Sequence, residues 1–294
     1  MRKSSSHIRT STARPEVLDV SDANALTYVR KHAILGGVWS FYIDKLYINA
    51  GGITIKQLAS DISITNSTFD YGQYSIDIRD HVYSITIQNN YFWNHGPRVR
   101  IVHSTDRFDW QQYIAKHRPR QREGYRRGGL VLINGNRDNA PGTSTIESDQ
   151  AAFYIENCDN VIFSDNSLYD TRQPINLPLA EGEKSAGRIL PVANFCNAKA
   201  LYVKNCNYVV VSDNIFSAFW PANAGVITFE DTHYSTIQGN IITPIGGMNR
   251  SWDQISKAML KKLPKSYGID TINCSPIKID NNVVEEIGPF RESK

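Results

Sequence analysis

The sequence predicts an all-β chain folded as a right-handed parallel β-helix. The first observation is a short strand-turn-strand pattern that recurs in one register along most of the chain. The second is an asparagine that closes every copy of that pattern. The third is that the pattern's apolar residues alternate at a period of two, as strands do.

Three segments align without gaps: Phe153 to Asn166, Leu201 to Asn214 and Ile269 to Asn282. Each carries Asn-Cys at the same place and an asparagine eight residues after the cysteine. Ile227 to Asn240 fits the frame with Asp231-Thr232 in place of Asn-Cys, Ile76 to Asn90 fits with one extra residue, and Ile53 to Ser67 is a looser copy. Within a copy, Phe153 and Ile155 face one way while Tyr154 and Glu156 face the other. A polar turn leads to a second short strand such as Val161-Ile162-Phe163, and a further turn follows at Asp165-Asn166. Asn66/Ser67, Asn90, Asn166, Asn214, Asn240 and Asn282 are expected to stack coil on coil, each amide bonding the next. Coils of about 22–26 residues give about seven to eight of them. A single coil cannot bury its apolar side, so stacking builds the core and the ends need caps.

The N-terminal end is read as basic and disordered over 1–14, with a single domain over 15–294. Residues 15–34, where Ser21 precedes apolar Ala25, Leu26 and Val29, are expected to form a short helical cap. Residues 38–50 read as an incomplete first coil. Insertions are expected at 95–128, 171–198 and 245–266, all after the Asn turn and hence on one side of the rod. Within the last, 251–263 reads as a helix, opened by a Ser251/Gln254 capping box and striped by Trp252, Ile255, Met259 and Leu263.

With 41% apolar, 21% charged and 11% aromatic residues, the composition is that of a folded, water-soluble protein. No apolar run is long enough to span a bilayer. The opening MRKSSSHIRTSTARP lacks the apolar stretch of a secretory signal, so an extracellular setting requires a removed signal or a place in a virion. Cys158, Cys196, Cys206 and Cys274 lack the paired spacing of a zinc site. In the repeat they fill a tight turn, a column that His81 and Thr232 share. No metal or cofactor is expected. The net charge of +3 hides two basic segments: 1–14 carries four cations and no acid, and 97–127 carries nine Lys/Arg against three acids, so the rest of the chain is net −7.

This coil signature, over roughly 50–290, resembles the right-handed parallel β-helix (pectin-lyase-like) superfamily of pectate lyases, polygalacturonases, alginate lyases and epimerases, and phage tailspike depolymerases. The resemblance implies binding or cleavage of a polysaccharide, often an acidic one. A tailspike setting also implies a homotrimer, although no distinct C-terminal trimerisation segment stands in the sequence. Several signatures of the superfamily are missing. These are the Asn-Thr-Asp, Asp-Asp and Gly-His-Gly set of polygalacturonases (Asn94-His95-Gly96 is isolated), the Asp-Pro-His-Asp of mannuronan epimerases and the Arg-x-Pro-x-x-Arg of pectate lyases. Function therefore has to be argued from the site.

The outward residues of the first strands are expected to form a two-column grid: Asp77/Arg79, Val131/Ile133, Tyr154/Glu156, Tyr202/Lys204, Thr228/Glu230 and Asp270/Ile272. Glu156 and Glu230, two coils apart, would lie about 9.6 Å apart at the backbone. Inverting glycosidases hold their carboxyl pair roughly 6.5–9.5 Å apart. Two chemistries fit this grid. Glu156 and Glu230 serve as general acid and base, or Lys204 or Tyr202 removes the C5 proton of a uronate in a lyase. Tyr154 and Tyr202 offer a step on which a sugar ring stacks, with Asp77 and Arg79 at the edge. The bland reading of the same residues is an ion-pair ladder on a solvated face.

The basic insertion supplies a second candidate surface, with Arg98, Arg100, His103, Arg107, Arg126 and Arg127 recognising uronate or sulfate through guanidinium forks. Phe108, Trp110, Tyr113 and Tyr125 are interleaved with them, a mixture that also suits nucleic acid. The acidic body of the rod argues against nucleic acid. The leading expectation is a carbohydrate-active β-helix that binds and cleaves an anionic polysaccharide as a lyase or hydrolase. The alternative is a non-enzymatic carbohydrate-binding or structural rod.

Overall fold

The computed structural model describes residues 38–49, 52–56, 58–72, 74–95, 97–104, 128–139, 151–169, 173–175, 193–195, 198–243, 263–285 and 287–293. Among them every regular element is a strand. The helix expected at 15–34, all but Leu263 of the one expected at 251–263, and the basic terminus 1–14 lie outside the described residues.

The repeat holds three strands, not two. The rung that begins at Ala151 runs Ala151–Glu156, Cys158–Ser164 and Ser167–Tyr169. The next runs Lys199–Lys204, Asn207–Ser212 and Ile215–Ser217. Each strand bonds in parallel to its counterpart one rung on. First and second strands, joined through the long strand Ile76–Gln88, make a 15-stranded sheet, and third strands make an 8-stranded one. This order is consistent with a parallel β-helix. The third strand is mostly two to five residues long, too short to display a period of two in sequence.

Two corners recur along the stack among the described residues. At one, a residue with positive φ precedes the ladder asparagine: Asn89 at 54°, Asp165 at 55°, Asp213 at 58° and Asn281 at 52°. Asn and Asp tolerate this region because their short side chains bond locally. Gly135 takes the same place, and a Cβ there would run into Asn89 Oδ1. At the other corner, Asn157, Asn205, Asp231 and Asn273 turn the chain in the same way, just before the cysteine column.

The asparagine ladder forms, with one member the repeat had hidden. Ser67, Asn90, Asn136, Asn166, Asn214, Asn240 and Asn282 run in line, each offering its side-chain oxygen to the backbone amide of the rung before. The asparagine side-chain amides bond the next oxygen and a carbonyl of the preceding rung, as Asn166 does to Asn214 Oδ1 (3.0 Å) and Ile133 O (3.1 Å). Asn136 was missed because its rung was misread. Val131 and Ile133 do not face outward on a first strand; both are fully buried on Gly128–Asn134, a second strand in register with Cys158–Ser164. The first strand of that rung is Val99–His103. Its alternation sits inside a basic run and read as loop.

That shift relocates an insertion. Residues 105–127 leave the rung between its first and second strands, whereas 170–197 and 244–262 lie between a third strand and the next first strand. The insertions therefore do not share one place in the coil. The cysteine column also changes by one residue. Cys158, Cys206, Thr232 and Cys274 line up, with amide-to-sulfur or amide-to-hydroxyl contacts of 3.4–3.5 Å. On the Ile76–Gln88 strand it is Val82, not His81, that registers with them. The extra residue of that copy is absorbed at the Asp80 turn (φ 82°).

The interior is packed with aliphatic and phenylalanine side chains from first, second and third strands. Phe69 stacks on Phe92 at 5.4 Å, and Phe92 meets Phe153 edge-on at 5.8 Å.

Candidate functional site

Among the described residues, the outer face of the first strands gathers carboxylates, cations and phenols in one register. One column runs Asp77, Arg100, Tyr154, Tyr202, Thr228, Asp270, Arg291, and the other Arg79, Val102, Glu156, Lys204, Glu230, Ile272, Ser293. The pairs Tyr154/Glu156, Tyr202/Lys204 and Thr228/Glu230 therefore stand on consecutive rungs. Glu156 and Glu230 are separated by the rung of Lys204, about 9.6 Å of backbone.

The side chains tie into two groups at the centre. The Tyr154 hydroxyl donates to Glu156 Oε2 at 2.8 Å. The Tyr202 hydroxyl donates to Glu230 Oε2, and Lys204 Nζ lies 2.9 Å from Glu230 Oε1. Burial works against ionisation of Glu230, but the bonds from Tyr202 and Lys204 outweigh it and hold the carboxyl below its ordinary range. The same contacts act on the partners. Burial and then the neighbouring carboxylate push both phenols well up, and the bond to Glu230 raises the Lys204 ammonium. The two tyrosine rings meet edge to face at 5.3 Å and 70°.

A tyrosine–arginine–aspartate clip brackets this centre on each side. Arg100 forks onto Asp77 with two bonds of 2.8 Å, and its guanidinium lies 4.1 Å from the Tyr74 ring. Arg79 reaches the same carboxylate at 2.8 Å. Farther along, Arg291 forks onto Asp270 and lies 4.7 Å from Tyr267. The second clip was not anticipated. Its signal is a tyrosine three residues before the aspartate, shared by Tyr74/Asp77 and Tyr267/Asp270. Lys199, 4.4 Å from the Tyr202 ring, was missed as well.

Arg98 and His103 do not belong to this face. Arg98 is fully buried and pairs at 2.6 Å with Asp138, whose side chain is fully buried too. His103 is 2% exposed, and its Nδ1 accepts the Val82 amide at 3.0 Å. Arg98 falls at the turn before Val99 and His103 takes an inward position on that strand, so neither adds to the charge of the surface. Arg107, Arg126 and Arg127 lie outside the described residues. Among the described residues, no three His, Cys, Asp or Glu side chains gather as a metal site.

His103 carries a pH prediction. Burial, reinforced by His81 beside it, pushes its imidazole down to about 4. An unfolded histidine titrates near 6.5. Between these values the unfolded chain takes up the proton and the folded chain does not, so stability is complete above about pH 6.5 and is lost as pH falls towards 4. The expected loss from this residue is ~3 kcal/mol. Urea unfolding of wild type and His103→Gln across that range tests it, because the wild type should show the extra slope and the variant should not.

Comparison with protein-family models, curated proteins and solved structures finds no match for this chain.

Proposed function

We propose that this chain is a carbohydrate-active, right-handed β-helix of the pectin-lyase-like kind, which binds an anionic polysaccharide along the first-strand face and hydrolyses it there. The observation that carries the reading is the placement of Glu156 and Glu230 on alternate rungs of a rigid sheet, with Lys204 between them. Glu230, held ionised by Tyr202 and Lys204, suits the general base that activates water, and leaves Glu156 as the acid. A lyase mechanism is less well supported. Tyr202 donates its proton to Glu230 and its phenol is pushed up, while Lys204 is held as an ammonium, so neither is a ready base near neutral pH.

A second reading, a non-catalytic carbohydrate-binding or structural rod, draws on the clips. Asp77 already occupies the fork of Arg100 and one nitrogen of Arg79, and Asp270 the fork of Arg291, which leaves these guanidiniums less free for a ligand's carboxylates.

A panel of uronate-containing and capsular polysaccharides separates the readings. New reducing ends without unsaturated products are expected for hydrolysis, and Glu230→Gln should lower the rate about 10³-fold while leaving binding intact. Binding without cleavage by the wild type would favour the rod. Products bearing a conjugated double bond would replace the hydrolase with a lyase.

A further inference from the structure

Four aspartates are buried among the described residues: Asp70, Asp77, Asp138 and Asp270. Three of them sit on an arginine, Asp77 on Arg79 and Arg100, Asp138 on Arg98, and Asp270 on Arg291. Asp70 has no such cation among the described residues. It is 5% exposed; Oδ2 accepts the Tyr47 hydroxyl at 2.9 Å, and Oδ1 has no hydrogen-bond partner. A buried carboxylate oxygen without a donor is costly, and such a group in a folded protein calls for an explanation.

The surroundings supply one. Asp70 lies on Thr68–Gly72, a third strand, and registers directly with Trp93 one rung on. Tyr47 and Tyr91 occupy the neighbouring column, one rung to either side of Thr68. The Tyr91 and Trp93 rings are 6.4 Å apart and tilted by 48°. Tyr47 and Trp93 are 56% and 41% exposed, large aromatic surfaces left facing solvent around a carboxylate. Aromatic faces attract cations, and Oδ1 needs a hydrogen-bond donor. A cation that bears N–H satisfies both demands. A quaternary ammonium has no proton to give Oδ1, and a hard metal ion needs several oxygen ligands where the site offers one carboxylate.

We propose that Asp70, with Tyr47, Tyr91 and Trp93, forms a binding site for a protonated primary amine. The amine rests against the exposed Tyr47 and Trp93 rings and donates to Asp70 Oδ1, an atom closed to solvent in the unbound chain, so binding requires the side chains over it to move aside. The site lies on a different sheet from the carboxylate pair, and it does not depend on whether the chain cleaves a polysaccharide.

The test is titration of the full chain with n-butylammonium, followed by calorimetry and thermal shift, with tetramethylammonium and sodium at equal ionic strength as controls. Saturable binding of n-butylammonium is expected, with an upward shift of the melting midpoint. Asp70→Asn should weaken it at least about tenfold, and so should the surface change Trp93→Leu, which stands in if Asp70→Asn fails to fold. Glucosamine against N-acetylglucosamine shows whether a sugar can carry the amine: binding of glucosamine alone supports the site, and equal binding of both overturns it. Tetramethylammonium binding as tightly as n-butylammonium, unchanged binding by the folded variants, or no saturable binding by the wild type would each overturn the proposal.

Discussion

Asn166→Leu is expected to destabilise the fold by ~4 kcal/mol, although leucine fills nearly the same volume in an apolar interior. Asn166 is 1% exposed and stands in the middle of the ladder. Its Oδ1 accepts the Asn136 backbone amide at 3.0 Å and the Asn136 side-chain amide at 2.9 Å. Its own side-chain amide donates to Ile133 O at 3.1 Å and to Asn214 Oδ1 at 3.0 Å. The substitution removes all four bonds and leaves the Asn136 donors and the Ile133 carbonyl buried, where no water replaces the lost partner. Each such orphan costs about 1–3 kcal/mol. Asn282 makes equivalent bonds to Asn240 and Ile237 but is only half-buried. Water can reach its partners, so Asn282→Leu should cost about half as much. Urea denaturation of the two variants tests the gradient. An Asn166→Leu cost below ~1 kcal/mol, or equal costs at both positions, would show that the ladder follows the fold and does not hold it.

The ladder was legible because an asparagine in a fixed frame needs only local spacing to be seen. Six of its members fall at recognisable distances from an alternating apolar run. Asn136 does not, because a 23-residue segment (105–127) separates Val99–His103 from Gly128–Asn134 and divides one rung into two unrelated-looking pieces. The candidate face was legible for the same reason wherever the frame was intact: Tyr154, Glu156, Tyr202, Lys204 and Glu230 stand on the predicted columns. Where the frame slipped, Val131 and Ile133 were assigned to that face and Arg100 and Val102 were not. The direction in which a side chain points at a corner is harder still. Sequence shows that Arg98 is cationic and near other cations, but period-two alternation says nothing about a residue at a turn, and the aspartate that draws Arg98 inward is 40 residues away. The orientation of the Tyr154 and Tyr202 rings also depends on which carboxylates their hydroxyls find, a contact that lies below the resolution of any residue pattern.

The second large effect follows from that buried pair. Asp138 occupies the inner column of the third strands, in register with Phe92, and the ladder members on either side of its rung are flanked by apolar Phe92 and Leu168. Arg98 enters the same space from the turn before Val99 and meets it at 2.6 Å, with both side chains fully buried. Arg98→Met keeps the volume and removes the charge, so the Asp138 carboxylate stays in the core without the guanidinium that now meets it at 2.6 Å. The expected cost is 3–5 kcal/mol, on the order found when one partner of a buried ion pair is removed. Asp138→Leu alone should cost a similar amount, since it takes from the buried guanidinium the carboxylate it meets at 2.6 Å. The double variant Arg98→Met with Asp138→Leu extends the apolar column and leaves no buried charge behind, so it should recover most of the loss. A double-mutant cycle by urea unfolding measures the coupling directly. If the double variant were as unstable as the two single costs added together, the pair would owe its importance to packing and not to charge. If it matches the wild type, the ion pair adds little net stability. Its role would then be to fix how the Val99–His103 strand enters the stack: with the chain's longest first-to-second-strand connection beginning just beyond that strand, Arg98 and Asp138 would select one register over its neighbours.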